Sequence, residues 1–234
     1  MNLPKLETPK YQLTIPSTGD EVSYRPFLVK EEKILLIAQE AGGESDLLTA
    51  MMDVVTSCTF GKVDMSDLAS FDLEYVFLKL RAKSVGEEAE IGIKCDECEG
   101  VNKVMVNLDA IKVTKGTPLP KKIQLTDSIG IVPQYVRVND LIKITKKTDK
   151  GDILTSSIAA SIKNIYDESN VYPIAEASDS DIKEFIESLN KNQIEKVEKV
   201  ITEAPKLQET ISFKCAKCKT KNEKILTGIE SFFV

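Results

Sequence analysis

Apolar and polar positions alternate along YQLTIPSTGDEVSYRPF, residues 11–27, as Tyr11, Leu13 and Ile15 and then Val22 and Tyr24. The Pro-Ser-Thr-Gly-Asp between the two runs has turn composition, so the pattern predicts a β-hairpin. From about Lys30 to Ala41 the spacing becomes helical, and Gly42-Gly43 supply the stop. A second helix, about Ser45 to Thr59, stacks Leu47, Met51, Val54, Val55 and Cys58 on one side. A third, about Phe71 to Ser84, repeats Phe71, Tyr75, Leu78 and Ala82 at helical intervals.

The period then changes from helical to two. EIGIKCDECEGVNKVMVNL reads as a strand, a tight cysteine-bearing turn and a second strand. Residues 113–138 hold Gly116, Pro118, Pro120, Gly130 and Pro133 among β-branched side chains, a loop-rich β segment or a linker between halves. From Asn139 the helical period returns. Leu141, Ile142 and Ile144 predict a short helix, and Leu154, Ile158, Ile162 and Ile165 a longer one. Asp179 or Ser180 is placed to cap the next, which carries Ile182, Phe185, Ile186 and Leu189. Asn190 with Gln193 forms a capping box ahead of Ile194, Val197 and Ile201. Pro205 ends that helix, and LQETISFKCAKCKTKNEKILTGI repeats the strand, cysteine turn and strand.

The repeat has a fixed offset. Adding 120 pairs Ile91 with Ile211, Lys94 with Lys214, Cys95 with Cys215, Cys98 with Cys218 and Asn102 with Asn222. Ile93 and Val106 likewise fall on Phe213 and Leu226. One sequence does not distinguish duplication from convergence on a shared local geometry.

Four of the five cysteines lie in these two turns, and the chain has no histidine. Catalysis and metal binding through imidazole are therefore excluded, including Ser-His-Asp and Cys-His arrangements. A C-x₂-C turn offers two thiolates to one metal, and two such turns complete a tetrahedral four-sulfur set. Cys95, Cys98, Cys215 and Cys218 are thus the candidate ligands of a structural zinc, although 116 residues separate the pairs. Closed four-sulfur sites leave no position for substrate water. Two competing readings are redox-active dithiols, which usually sit at a helix N-terminus rather than between strands, and knuckles that bind metal between chains. Cys58 reads as a small buried hydrophobe.

The 234-residue chain carries 31 Lys plus Arg against 37 Asp plus Glu, a net charge of −6. That balance argues against a chain-wide phosphate-binding surface. Lysines concentrate instead at the second knuckle, Lys214 to Lys224, opposite an acidic first knuckle with Asp96, Glu97 and Glu99. Only Phe213 accompanies them as an aromatic, so base stacking has little support and nucleic acid is not the expected partner, with a zinc-ribbon nucleic-acid-binding or regulatory protein as the alternative reading. The acidic runs Asp64, Asp67, Asp72, Glu74 and Glu87, Glu88, Glu90 read as caps and solvated faces. MNLPKLETPKYQL lacks the apolar stretch of a signal peptide, and the longest apolar run, Ile34 to Ala38, is too short to span a membrane. A cytoplasmic setting is expected, where paired cysteines favour metal over disulfides.

The run YQLTIPSTGDEVSYRPFLVKEEKILLIA, followed by helices and paired cysteine knuckles, resembles the baseplate hub proteins of T4-like contractile-tailed bacteriophages. Arg25 to Lys33 carries most of the specificity. The resemblance implies a small non-enzymatic protein needed to build the central hub, as an assembly factor or as a component of the finished hub. It also implies other hub or tail proteins as partners, the tape-measure protein among them, with residence in the host cytoplasm during assembly or in the virion tail. Arginine and aromatic residues are favoured interface anchors, so Tyr24, Arg25 and Phe27 are candidate partner contacts, or else a strand-to-helix corner of the core. Phe232, Phe233 and Val234 either pack as a final strand or bind a partner.

The expected fold is α+β, with an N-terminal β-hairpin and helices over 1–86. A split zinc-ribbon-like unit, 87–112 and 206–234, is interrupted by a β/loop segment and helical insertion over 113–205.

Overall fold

The computed structural model describes residues 6–232. The N-terminal hairpin pairs β1 (Tyr11–Thr14) with β2 (Glu21–Tyr24), its turn placed where the sequence predicts. Helix α1 (Val29–Ala41) closes on Gly42, whose φ of 73° is the left-handed conformation that glycine adopts without a Cβ penalty. Helix α2 (Glu44–Cys58) buries Leu48, Met51, Val54, Val55 and Cys58.

Helix α3 (Ser70–Ser84) departs from the single stripe expected of it. Phe71, Leu73, Val76, Phe77, Leu78, Leu80 and Ala82 are all buried, so it is the central rod of the fold and not a surface helix. Its polar side chains are drawn into the interior with partners. Asp72 accepts hydrogen bonds from the N–H (2.9 Å) and hydroxyl (2.5 Å) of Ser17, pinning the hairpin turn to the start of the helix. The Lys79 ammonium donates to the carbonyls of Asp109 and Ile111, closing the chain after the first cysteine hairpin.

That hairpin is β3 (Glu88–Lys94) with β4 (Val101–Asn107). A short β5 (Lys112–Val113) leads out of it toward a four-stranded antiparallel sheet of β6 (Ile123–Gln124), β7 (Gly130–Pro133), β8 (Ile162–Tyr166) and β9 (Val171–Pro173), in that order. Between β7 and β8 run α4 (Val138–Thr145) and α5 (Lys150–Ala160). Ile162 and Ile165, read from their spacing as a continuation of the helix, belong to β8. Helix α5 stops at Ala160, and Ile162 and Ile165 pair with Pro133 and Ile131 of β7. Their intervals from Leu154 and Ile158 fit a helix only by coincidence, and the β-branched run Ile162-Lys163-Asn164-Ile165 suits a half-buried strand.

Helices α6 (Asp179–Glu187) and α7 (Lys191–Thr202) follow. The α6 cap is Ser178 rather than either expected residue, Asp179 or Ser180, because its hydroxyl accepts the Asp181 N–H at 3.2 Å. The Asn190/Gln193 capping box forms as read, with reciprocal bonds of 3.1 and 2.8 Å. The chain returns through β10 (Leu207–Lys214) and β11 (Lys221–Thr227), with β10 also pairing to β5.

Exit and re-entry of the middle segment are therefore adjacent. The Thr117 N–H donates to the Glu203 carbonyl at 3.0 Å and the Thr114 N–H to that of Lys206 at 2.8 Å. Gly116 lies so close to Pro205 that a Cβ on it would stand 2.4 Å from the proline nitrogen.

Two apolar cores result. The larger joins the N-terminal hairpin, α2, α3, both cysteine hairpins, Val138 and Ile142 of α4, and Phe232. The smaller packs Leu125, Ile131, Ile158, Ile162, Ile186 and Val197 between the four-stranded sheet and α5 to α7.

The corner after β2 is held by charge. Arg25 donates to Glu31 (2.8 Å), Ser57 (3.2 Å) and the Pro26 carbonyl (3.0 Å), while Leu28 N–H donates to Glu31 at 2.8 Å. Side-chain exposures of 11% for Arg25 and 3% for Glu31 make this a buried pair. Burial pushes the Glu31 carboxyl up, but Arg25, the Leu28 N–H and the Ser57 hydroxyl outweigh it and hold it at about 2. With an unfolded value near 4.5, Glu31 stabilises the fold fully above about pH 4.5, and this is lost as pH falls through about 2. Glu31→Ala should lower stability by about 3–5 kcal/mol in urea unfolding at pH 7, because it strands the Arg25 charge. It should also flatten the loss of stability between about pH 4.5 and 2. Unchanged unfolding curves would show that the pair does not hold the corner.

Candidate metal centre

Each cysteine turn is dictated by its own hairpin. In the first, the Cys95 N–H donates to the Gly100 carbonyl (3.0 Å) and the Glu99 N–H back to Cys95 (3.0 Å), with Glu99 at φ 54°. In the second, Cys215 N–H donates to Thr220 (2.9 Å) and Lys219 N–H to Cys215 (3.0 Å), with Lys219 at φ 64°. Register agrees as well: Ile93 faces Asn102 and Phe213 faces Asn222. The offset of 120 seen in the sequence is thus a repeat of backbone conformation, residue by residue.

The two turns meet. Sγ atoms of Cys95, Cys98, Cys215 and Cys218 all lie within 4.8 Å of one another, and the cross-hairpin distances Cys95 to Cys218 and Cys98 to Cys215 are both 3.6 Å. No disulfide links them. A tetrahedral ion with bonds of about 2.3 Å separates its sulfurs by about 3.8 Å, so the arrangement is of the size a single metal ion requires. Cys95 and Cys215 are buried, Cys98 is half-buried and Cys218 is exposed, which puts the cluster at the surface end of the hairpins.

Asn102 and Asn222 complete the join. Asn102 takes the Ala216 N–H on its carbonyl oxygen (2.8 Å) and points its amide at Cys215 Sγ (3.6 Å). Asn222 mirrors it, accepting from Asp96 N–H (3.0 Å) and pointing at Cys95 Sγ (3.4 Å). Each amide also donates to its own turn, at Gly100 and Thr220. Each asparagine therefore keys its hairpin into the opposite knuckle and offers a hydrogen bond to a sulfur there. Their identity across the repeat was visible in the sequence, but this crossed bonding was not.

Local electrostatics favour thiolates on the second knuckle. The backbone N–H of Cys218, with help from Lys217 N–H and the Asn102 amide, overcomes burial and holds Cys215 at about 6. Thr220 lowers Cys218 through its hydroxyl and its N–H. Cys98 stands at about 11, because the Gly100 N–H that lowers it is outweighed by Cys218, burial, Cys215 and Cys95. Crowded sulfurs and unequal hydrogen-bond donors thus push the Cys98 thiol up and those of Cys215 and Cys218 down. The opposed charges of the two turns also make contact, through an ion pair between Lys224 and Asp96.

The chain matches the model of the T4 bacteriophage base plate protein family over residues 8–234. It belongs to that family. No curated protein and no solved structure matches it.

The structure of this baseplate protein places the other candidate residues mostly inside. Tyr24 and Phe232 are buried in the larger core, Arg25 is committed to Glu31, and Phe27 is half-buried with its N–H on the Ser84 hydroxyl (2.9 Å). Tyr24, Arg25 and Phe27 thus sit at the strand-to-helix corner between β2 and α1, and Phe232 packs into the same core from the C-terminal turn. Phe232 ends a 3₁₀ turn over Ile229–Phe232, not a final strand. Phe233 and Val234 lie outside the described residues.

The acidic runs of the baseplate protein are mostly accounted for by structure. Asp64 caps the following turn, Asp67 pairs with Arg137, Glu87 with Lys83 and Glu90 with Lys103. Glu74 differs. It lines a cavity of about 260 Å³ beside Phe71 and Leu141, and burial together with nearby Glu230 raises it to about 7. Among the described residues no helix is long and apolar enough to cross a membrane.

Outer-shell partners that orient ligands typically change metal affinity 10–100-fold when removed. Asn102→Ala and Asn222→Ala should each weaken metal retention by about that factor in competition with a chromogenic chelator. The double variant should fall further. Retention equal to wild type in both single variants would mean that the asparagines serve the hairpins alone.

Proposed function

We propose that this chain is a non-enzymatic component or assembly factor of the baseplate hub, binding other tail proteins and stabilised by one structural zinc ion on Cys95, Cys98, Cys215 and Cys218. The observation that carries this reading is the meeting of four thiols from turns 120 residues apart, in a chain matched to a baseplate family over nearly its whole length. Four sulfurs and no histidine make a closed site suited to holding structure. Zinc suits this site because it is bound tetrahedrally by thiolates and has no redox chemistry of its own.

The site lies between two hairpins that both contribute to the larger core. It joins β3–β4 to β10–β11, whose inner residues Ile91, Ile93 and Ile211 are buried in that core. Structural zinc sites contribute apparent binding free energies of about 10–16 kcal/mol, comparable to the stability of a whole domain.

Native mass spectrometry should find one zinc per chain. Stripping it with a strong chelator should lower Tm by more than 10 °C, on the order expected for losing several kcal/mol, and Cys95→Ser or Cys215→Ser should do the same. A metal-free protein of unchanged Tm would overturn the structural assignment. Co-expression with hub and tape-measure proteins of the same phage should give stable complexes on size-exclusion chromatography. Failure with every tail protein would overturn the hub reading while leaving the zinc result standing.

A further inference from the structure

The smaller core leaves an apolar groove open to solvent. β9 is an edge strand, paired only to β8, and α6 runs across from it. Between them lies a cleft of about 610 Å³ floored by Ile129, Ile165, Ile174, Ile182 and Phe185, with Tyr172 on its lip. Its entrance is more apolar than solvent contact favours: Val171 is 62% exposed and Tyr172 47%.

The rim carries one sign of charge. Asp167, Glu176 and Asp181 all line the groove, and no lysine or arginine does. Among the described residues none of the three is paired with a cation. Asp167 is fixed by the N–H groups of Ser169 and Asn170 (both 2.7 Å) and by the Tyr172 hydroxyl (2.8 Å), and these bonds hold it below the usual carboxylate range. Asp181 is held by the Ser178 hydroxyl at 2.6 Å. Glu176 is exposed. Lys163 and Lys183 line an adjoining cleft that shares Pro173, Ile174, Ala177 and Ile182 with this groove, and Lys183 is paired there with Glu187. Lys122 lies over the Tyr166 ring (4.4 Å to its centroid), and none of the three lysines lines the groove itself.

The sheet edge itself is a poor template for strand addition, because β9 is only three residues long and ends in Pro173, which has no N–H to offer. What the surface offers is a side-chain groove with an acidic border. An apolar floor selects an apolar stripe, and an unpaired acidic rim selects cations on either side of it.

We propose that this groove is a docking site for an amphipathic helix of a partner protein whose apolar stripe is flanked by lysines and arginines. The proposal rests on the baseplate reading only for the existence of a protein partner. Floor and rim together name its chemistry.

The test uses the full chain and three fluorophore-labelled synthetic peptides of about 18 residues: an amphipathic Leu/Lys helix, its Leu/Glu counterpart, and a Leu/Lys sequence scrambled to have no apolar face. Fluorescence anisotropy should show the first binding at least about tenfold more tightly than either other, and weakening as salt rises. Val171→Lys with Glu176→Lys, both at exposed positions, should reduce that binding by at least about tenfold with Tm unchanged. Amide shifts in the labelled protein should concentrate in residues 165–185. Absence of binding, equal binding of all three peptides, binding unaffected by the double variant, or shifts located elsewhere would each overturn the proposal. None of these failures bears on the tail-protein co-expression result, so the two readings fall separately.

Discussion

The meeting of the two cysteine turns is the contact on which the larger core depends. Cys95 and Cys215 lie 120 residues apart in the chain, yet their hairpins face each other through four sulfurs and two crossed asparagines. A cross-link of that span in the denatured chain would remove on the order of 5 kcal/mol of conformational freedom. Without it, the two hairpins would be joined by the short β5–β10 pairing, the Lys224–Asp96 ion pair and van der Waals contact of their buried faces. The asparagines matter because they bond to backbone as well as sulfur, so the fit of turn against turn is specified in direction.

The rest of the larger core is arranged around α3. A helix buried on nearly every side cannot expose polar groups, and its polar residues instead gather the surrounding chain. Asp72 holds the hairpin turn, Lys79 the segment after β4, and Ser84 the corner at Phe27. Arg25 and Glu31 then bridge the start of α1 to the end of α2. The conspicuous Arg-Pro-Phe segment is accordingly a structural joint. Its unusual composition reflects a buried ion pair that must be fully hydrogen-bonded to be tolerated.

Local signals in the sequence were reliable where local chemistry decides the outcome. The Asn190 capping box, the Gly42 stop, the two hairpins and the paired cysteines all depend on residues within a few positions of each other. Tertiary context decided the others. Ile162 and Ile165 satisfy helical spacing and strand alternation almost equally, and only the pairing partners Ile131 and Pro133, some 30 residues earlier, settle the choice. Phe71, Tyr75, Leu78 and Ala82 mark one stripe of α3, but burial on its other sides comes from elements the stripe does not reveal. Tyr24 and Arg25 have the composition of interface anchors, and the same composition serves a buried corner when a carboxylate such as Glu31 lies within reach. The crossed asparagines were legible as a coincidence of the repeat, whereas their bonding needed the two hairpins to be placed together.

The separation of the two knuckles also sets an order in time. A ribosome adding about 5–20 residues per second needs roughly 6–24 s to pass from Cys95 to Cys215. Throughout that interval the first hairpin carries two thiols and an asparagine whose intended partners do not yet exist. The nascent chain must keep that half-formed unit reduced and free of other partners, and the central helix acquires one of its walls last. Maturation of this protein is therefore a late event in its synthesis, governed by when the second turn arrives rather than by how fast the first one folds.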